Sequence, residues 1–271
     1  MSVTKEIKRK TTHTFREMKS SGEKITMLTG YDYSLARVLD DAGIDMILVG
    51  DSAANVMAGY DTTVPITLDE MIWYAKAVMR ASHQAMVIVD MPFGTYQGDP
   101  NEALKSAVRI LKETGAHAVK VEGGEAIADT IKLMVNAGIP VMGHLGLTPQ
   151  SIHQLGSFGL RAKEDTEANK LINDAKLLEE MGCFAVVLEK IPAVLASRVT
   201  ALLHVPTIGI GAGNHCDGQV LVIHDMLGLT KDFKPKFLRQ YLNLYEQIHQ
   251  AVGQYITDVK SGDFPNENEQ Y

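Results

Sequence analysis

Short runs rich in Val, Ile, Leu and Met recur along the chain, and each is followed by a longer stretch with helical periodicity. The runs are Ile25 to Gly30, Met46 to Gly50, Met86 to Asp90, His117 to Val121, Pro140 to Gly143, Phe184 to Glu189, Thr207 to Gly209 and Gln219 to Ile223. Near-continuous apolarity of this kind is expected of parallel strands covered on both faces. Local signals punctuate the helical stretches. Thr67 with Glu70 spells a capping box, in which each side chain satisfies a backbone N–H left over at the helix start. Asp99, Pro100 and Glu102 mark another start, because proline at the first helical position forgoes no hydrogen bond. Gly43, Gly115, Gly138 and Gly182 stand just ahead of the following runs, where a helix end calls for a left-handed residue.

Eight such alternations without a linker predict a closed (β/α)8 TIM barrel, a single α/β domain over residues 1–271. Residues 1–24 are expected to be an N-terminal extension, Pro235 to Lys260 the last helix, and 261–271 a flexible polar tail. The alternative is an open doubly wound sheet, but Gly30-Tyr31-Asp32-Tyr33 lacks the glycine fingerprint that such a sheet carries after its first strand.

Composition narrows the setting. The chain is 45% hydrophobic, ample for a folded core. Its net charge of −7 argues against nucleic acid as a partner. The one basic cluster, Lys5, Lys8, Arg9 and Lys10, reads as a solvated or frayed N-terminus. Cys183 and Cys216 form neither a disulfide framework nor a zinc pattern. No segment reaches the ~18 apolar residues of a membrane span, and none near the start reads as a signal peptide. A cytoplasmic location without membrane partners is the expectation.

Barrel enzymes place their chemistry at the C-terminal ends of the strands. There the sequence offers Asp51-Ser52, Asp90, Lys120-Val121-Glu122, His144 and Glu189. Side chains alternate along a strand, so Lys120 shares a face with Glu122. The same parity groups Ile47, Val49 and Asp51; Ile88 and Asp90; Met142 and His144; and Val187 and Glu189. Five neighbouring strands thus aim ionisable residues at one cavity. Asp51, Asp90 and Glu122 repel one another when close, and Mg²⁺, an oxygen-seeking cation, relieves that repulsion. Lys120 suits a substrate carboxylate or a developing enolate oxygen. Glu189, on the opposite side of the ring, stands where a proton acceptor belongs. Plainer roles fit the same residues. Asp51 and Asp90 also suit helix caps or ion pairs, Lys120 and Glu122 could neutralise each other, and His144 suits a satisfied core position. Glu189 also suits a loop ion pair, and Ser52 a turn. The run Gly209-Ile210-Gly211-Ala212-Gly213-Asn214 fits a phosphate cradle or a tight turn. His215, Cys216 and His224 lack zinc-ligand spacing.

Taken together, Val49-Gly50-Asp51-Ser52, Asp90-Met91-Pro92-Phe93, Lys120 to Gly124, Gly143 to Ser151, Leu188-Glu189 and Gly209 to Gln219 resemble the ketopantoate hydroxymethyltransferases, in order, from about Ile25 to Lys260. Tyr31-Asp32-Tyr33-Ser34 agrees as well. The resemblance implies a Mg²⁺-dependent barrel in which Asp51 and Asp90 bind the metal, with Glu122 in its shell. Lys120, Asp51, Ser52, Asp90 and His144 would contact the oxoacid 3-methyl-2-oxobutanoate, and Glu189 would be the proton acceptor. It further implies 5,10-methylenetetrahydrofolate as one-carbon donor and a homo-oligomer, decameric in the family. Ala53-Ala54 and Phe158 to Arg161 depart from the family pattern, at the turn after Asp51 and at a lid on the folate side. The rival enzyme class is a Mg²⁺-dependent oxoacid lyase or mutase of the isocitrate lyase and phosphoenolpyruvate mutase group, whose Lys-Lys-Cys-Gly type loop is absent.

Overall fold

The computed structural model describes residues 9–271. Eight parallel strands close into a barrel in simple sequence order, β1 through β8, with β1 pairing β8. They are β1 (Ile25–Thr29), β2 (Met46–Val49), β3 (Met86–Asp90), β4 (Ala118–Glu122), β5 (Val141–Gly146), β6 (Ala185–Glu189), β7 (Thr207–Ile210) and β8 (Gly218–Leu221). The helices are α1 (Thr12–Ser21), α2 (Tyr33–Asp41), α3 (Ala53–Val56), α4 (Leu68–Ala81), α5 (Pro100–Thr114), α6 (Ala128–Asn136), α7 (Ile152–Leu155), α8 (Asp165–Glu180), α9 (Ala193–Leu202), α10 (Ile223–Met226) and α11 (Leu244–Ser261). The chain forms two compact units, Met1–Val222, which holds every strand, and Ile223–Tyr271.

Local chemistry sets the element boundaries. The Thr67–Glu70 capping box starts α4, with the Thr67 N–H donating to Glu70 at 2.7 Å and the Glu70 N–H to Thr67 at 3.3 Å. Asp99 caps α5 through the Asn101 N–H, with Pro100 at the first helical turn. Gly43, Gly115, Gly138 and Gly182 all take positive φ, as a left-handed exit from each helix requires.

The barrel interior is apolar. Met27, Met46, Leu48, Met86, Ile88, Ala118, Met142, Ala185, Val187, Ile208 and Val220 form one buried cluster. Phe15 and Met18 of α1 join it from the N-terminal end of the strands. The expected extension over residues 1–24 therefore includes a helix that stoppers the barrel. The basic cluster is corrected with it. Arg9 donates to the Ser82 and Ala85 carbonyls at 2.8 and 3.3 Å, and Lys10 pairs with Asp45. Both bind carbonyls or a carboxylate left open beside strand starts rather than fraying into water. Lys5 and Lys8 lie outside the described residues.

A second correction concerns β2. Met46 and Leu48 face inward, so Ile47 and Val49 do not, and Asp51 reaches the mouth from the turn after the strand rather than by strand parity. A Cβ on Gly50 would lie 2.7 Å from Ser52 Oγ and 3.6 Å from Asp90 Oδ2, so glycine there leaves room for the turn.

The last helix begins at Leu244, not Pro235. Residues before it give their N–H groups elsewhere, Tyr241 to the Met226 carbonyl and Leu244 to that of Leu227. Within this second unit no side chain of α11 is buried, and Ile248, Val252, Tyr255, Ile256 and Val259 are exposed. Phe264 packs edge-on to Tyr255 at 5.7 Å, and Asn266 caps a short turn at Glu267–Glu269, so part of the expected loose tail has local structure. Among the described residues no helix is long and apolar enough to cross a membrane.

Gly146, at the end of β5, has φ +96°, and a Cβ on it would lie 2.2 Å from the Glu189 carbonyl oxygen. Gly138 has φ +87° with nothing within 4 Å of its Cβ position. Gly138→Ala should lose about 1–2 kcal/mol, the cost of a left-handed alanine. Gly146→Ala should lose more, at least about 3 kcal/mol, from strain plus the collision. Urea unfolding of the two variants decides it, and equal losses would contradict the close approach of β5 to β6.

Candidate active site

Five charged side chains lie buried at the C-terminal mouth of the barrel. Asp51, Asp90, Lys120, Glu122 and His144 are each no more than 6% exposed. Register brings four of them together, because Asp90 pairs with Lys120 across β3 and β4, and Glu122 with His144 across β4 and β5.

The contacts run as a continuous arc. The Asp51 N–H donates to Asp90 Oδ2 at 3.0 Å. Lys120 Nζ lies 2.8 Å from Asp90 Oδ1 and 3.8 Å from Glu122 Oε1. His144 Nδ1 is 3.2 Å from Glu122 Oε1, and His144 Nε2 is 3.4 Å from Glu189 Oε2. The last contact is within ion-pair reach but lacks hydrogen-bond alignment. Glu189 thus joins the cluster through His144, and its side chain, 16% exposed, is the most open of the ionic set. Ser52 sits at the rim, its Oγ 2.8 Å from the Tyr31 hydroxyl.

Electrostatics sort these groups. Burial, reinforced by the Asp90 and Glu122 charges, raises the Asp51 carboxyl to about 8 despite Lys120 and Gln150. Asp90 is also raised by burial, against the pull of Lys120. Burial would raise Glu122 too, but His144, Lys120 and the Gln150 N–H outweigh it and hold its carboxyl low. Burial and Lys120 oppose a charge on His144, yet Glu122 and Glu189 prevail and lift the imidazole to about 9. An imidazolium donates from Nδ1 to Glu122, so the 3.4 Å approach of Lys120 Nζ to that nitrogen is not a hydrogen bond.

The donor set fits a hard divalent cation. Asp51 resists ionising because burial strips its charge of water and the Asp90 and Glu122 charges oppose it, and Asp90 Oδ1 meets only the Lys120 ion pair. Among the described residues no three His, Cys, Asp or Glu side chains are spaced to enclose a metal. Asp51 and Asp90 alone leave the remaining positions to substrate and water, the arrangement Mg²⁺ favours. Both Glu122 oxygens are already engaged, by His144 and by the Gln150 N–H.

Gln150 and Tyr96 are buried partners of the acids that strand-end reasoning missed. Tyr96 is 1% and Gln150 4% exposed, and both belong to loops where strand parity says nothing. A polar loop residue inside a Thr-Pro-Gln-Ser turn was the available signal. The glycine-rich run after β7 serves turn and packing. Gly211 and Gly213 take positive φ, and a Cβ on Gly213 would lie 2.5 Å from that of Ala193. Ala53 and Ala54 open α3 fully buried, while Phe158 is 51% exposed. Cys183 and Cys216 are free and buried.

Residues 9–267 match the family described as Ketopantoate hydroxymethyltransferase. Among curated relatives, a 3-methyl-2-oxobutanoate hydroxymethyltransferase of Flavobacterium johnsoniae is 64% identical, covering 98% of both chains. One of Bacteroides thetaiotaomicron is 61% identical over 99% of this chain and 98% of its own. Solved structures share the fold at much lower identity. A phosphonopyruvate hydrolase solved with oxalate and Mg²⁺ has 11% identity and a TM-score of 0.62, over 95% of this chain and 92% of that one. A 2,3-dimethylmalate lyase of the phosphoenolpyruvate mutase/isocitrate lyase superfamily has 16% identity and a TM-score of 0.57, over 92% and 96%. Those likenesses speak for the barrel alone. The match across nearly its whole length, on a barrel whose strand ends gather the expected acids, makes this chain a member of the ketopantoate hydroxymethyltransferase family.

Proposed function

We propose that the protein joins the one-carbon unit of 5,10-methylenetetrahydrofolate, with water as the source of its hydroxyl, to 3-methyl-2-oxobutanoate, giving 2-dehydropantoate and tetrahydrofolate. The observation that carries this reading is the buried ionic arc that ends in the most open acid, Glu189, in a chain of this family.

Asp51 and Asp90 would hold Mg²⁺, with Glu122 steadying the surroundings through His144 and Lys120. When bound, the cation supplies Lewis acidity toward the keto and carboxylate oxygens of the oxoacid, easing removal of the neighbouring C–H proton. Lys120 and Ser52 bind and orient the oxoacid beside the two aspartates. Glu189 takes the proton from C3, its carboxylate steadied from behind by the His144 imidazolium. C3 then bonds to the folate methylene carbon as one of its C–N bonds breaks. Water supplies the hydroxyl as the second C–N bond breaks, and the two folate nitrogens take up the proton held by Glu189 and the one left by water. The apolar barrel floor beneath the arc keeps water from the inner side. A cytoplasmic location and a homo-oligomer belong to the same reading, and the exposed apolar stripe of α11 supports the second.

Incubation with 3-methyl-2-oxobutanoate, methylenetetrahydrofolate and Mg²⁺ should yield 2-dehydropantoate, and a chelator should abolish the product. No product under these conditions would refute the activity. Glu189→Gln should retain Mg²⁺ and oxoacid binding while exchange of the C3 proton with deuterated water slows by about 10²–10⁴-fold. Exchange at the wild-type rate would remove Glu189 from the base role.

A further inference from the structure

Gln150 lies in the short turn after β5, yet its bonds reach three other strands' ends. Its side-chain amide donates from Nε2 to Asp51 Oδ2 and to the Met91 carbonyl, both at 2.9 Å. Its Oε1 accepts from the Tyr96 hydroxyl at 2.7 Å and from Gln97 Nε2 at 3.0 Å. Its backbone N–H donates to Glu122 Oε2 at 3.0 Å. The Glu122 N–H in turn donates to the Tyr96 oxygen at 2.9 Å.

These bonds form a one-way ring. The Tyr96 hydroxyl has a single proton, which it gives to Gln150 Oε1 while accepting from Glu122. With two donors on Oε1 and two acceptors before Nε2, only one orientation of the amide satisfies every partner. The nitrogen must face Asp51. A turn that needed only fastening to the barrel would be served by the backbone N–H and the Tyr96 bond. The branch to Asp51 adds nothing to that fastening. It fixes one oxygen of a buried carboxylate.

We infer that Gln150, oriented by Tyr96, is a positioning residue that sets the carboxylate of Asp51 and couples it to Glu122 across the mouth of the barrel. The inference rests on the proposed role of Asp51 in holding Mg²⁺. Gln150 acts through Asp51, the acid proposed to hold the metal.

The test is calorimetric titration of the full-length protein with Mg²⁺ alone, for wild type, Gln150→Met, Tyr96→Phe and the double variant. Circular dichroism and a cooperative thermal transition establish that each is folded. Methionine matches glutamine in length without its polar atoms, so Mg²⁺ affinity should fall by about 10–100-fold. Tyr96→Phe removes one of the two donors that hold Oε1, loosening the amide, and should give a smaller loss. If the two act in series, the double variant loses no more than Gln150→Met. Folded Gln150→Met that binds within about twofold of wild type overturns the inference, as does a double variant whose loss is the product of the single losses. Should Gln150→Met not fold, Tyr96→Phe alone decides, and unchanged affinity there overturns it. Wild-type protein that binds no Mg²⁺ overturns the metal reading and this inference together, whereas equal binding by wild type and Gln150→Met overturns this inference alone.

Discussion

The site depends on one buried cation, the ammonium of Lys120. It is held between Asp90 and Glu122 with almost no exposure to water. Taking such a group out of water costs several kcal/mol, and only close, well-placed counter-charges offset it. The strand register supplies them, since Asp90 lies directly across from Lys120, and Glu122 is the next residue inward-facing on the same strand. The converse holds for the acids. Without Lys120 and the imidazolium of His144, four carboxylates would share one low-dielectric mouth. The arc is therefore a mutual arrangement in which each member is tolerable because of the next.

Much of this was legible in the sequence because β3 to β6 obey simple alternation up to their last residue. Asp90, Lys120, Glu122, His144 and Glu189 all lie on the face that parity assigns. Asp51 reached the right place for the wrong reason. Parity ceases to constrain a residue once the chain leaves the strand, and the turn at Gly50 redirects it. Gln150 and Tyr96 escaped for a related cause, since nothing in a loop's residue spacing tells where its side chains point. The basic start of the chain misled through composition, because a guanidinium can find helix-end carbonyls as readily as water. The late start of α11 is a similar case, for its helical-looking approach spends its N–H groups on the turn after α10.

The fold neighbours sharpen what distinguishes this chain. Barrels with 11–16% identity superpose over nearly all of it, so the architecture tolerates replacement of most residues. What ties the chain to its family is its sequence match over 9–267, which includes the strand ends and the loops that brace them. A frame so permissive leaves specificity to a handful of side chains and to the bonds that hold them still.

Phe15 and Met18 carry a final implication. By filling the lower end of the cylinder they plug it, among the described residues, against entry from below. Whatever reacts over the acids must arrive, and leave, through the upper rim.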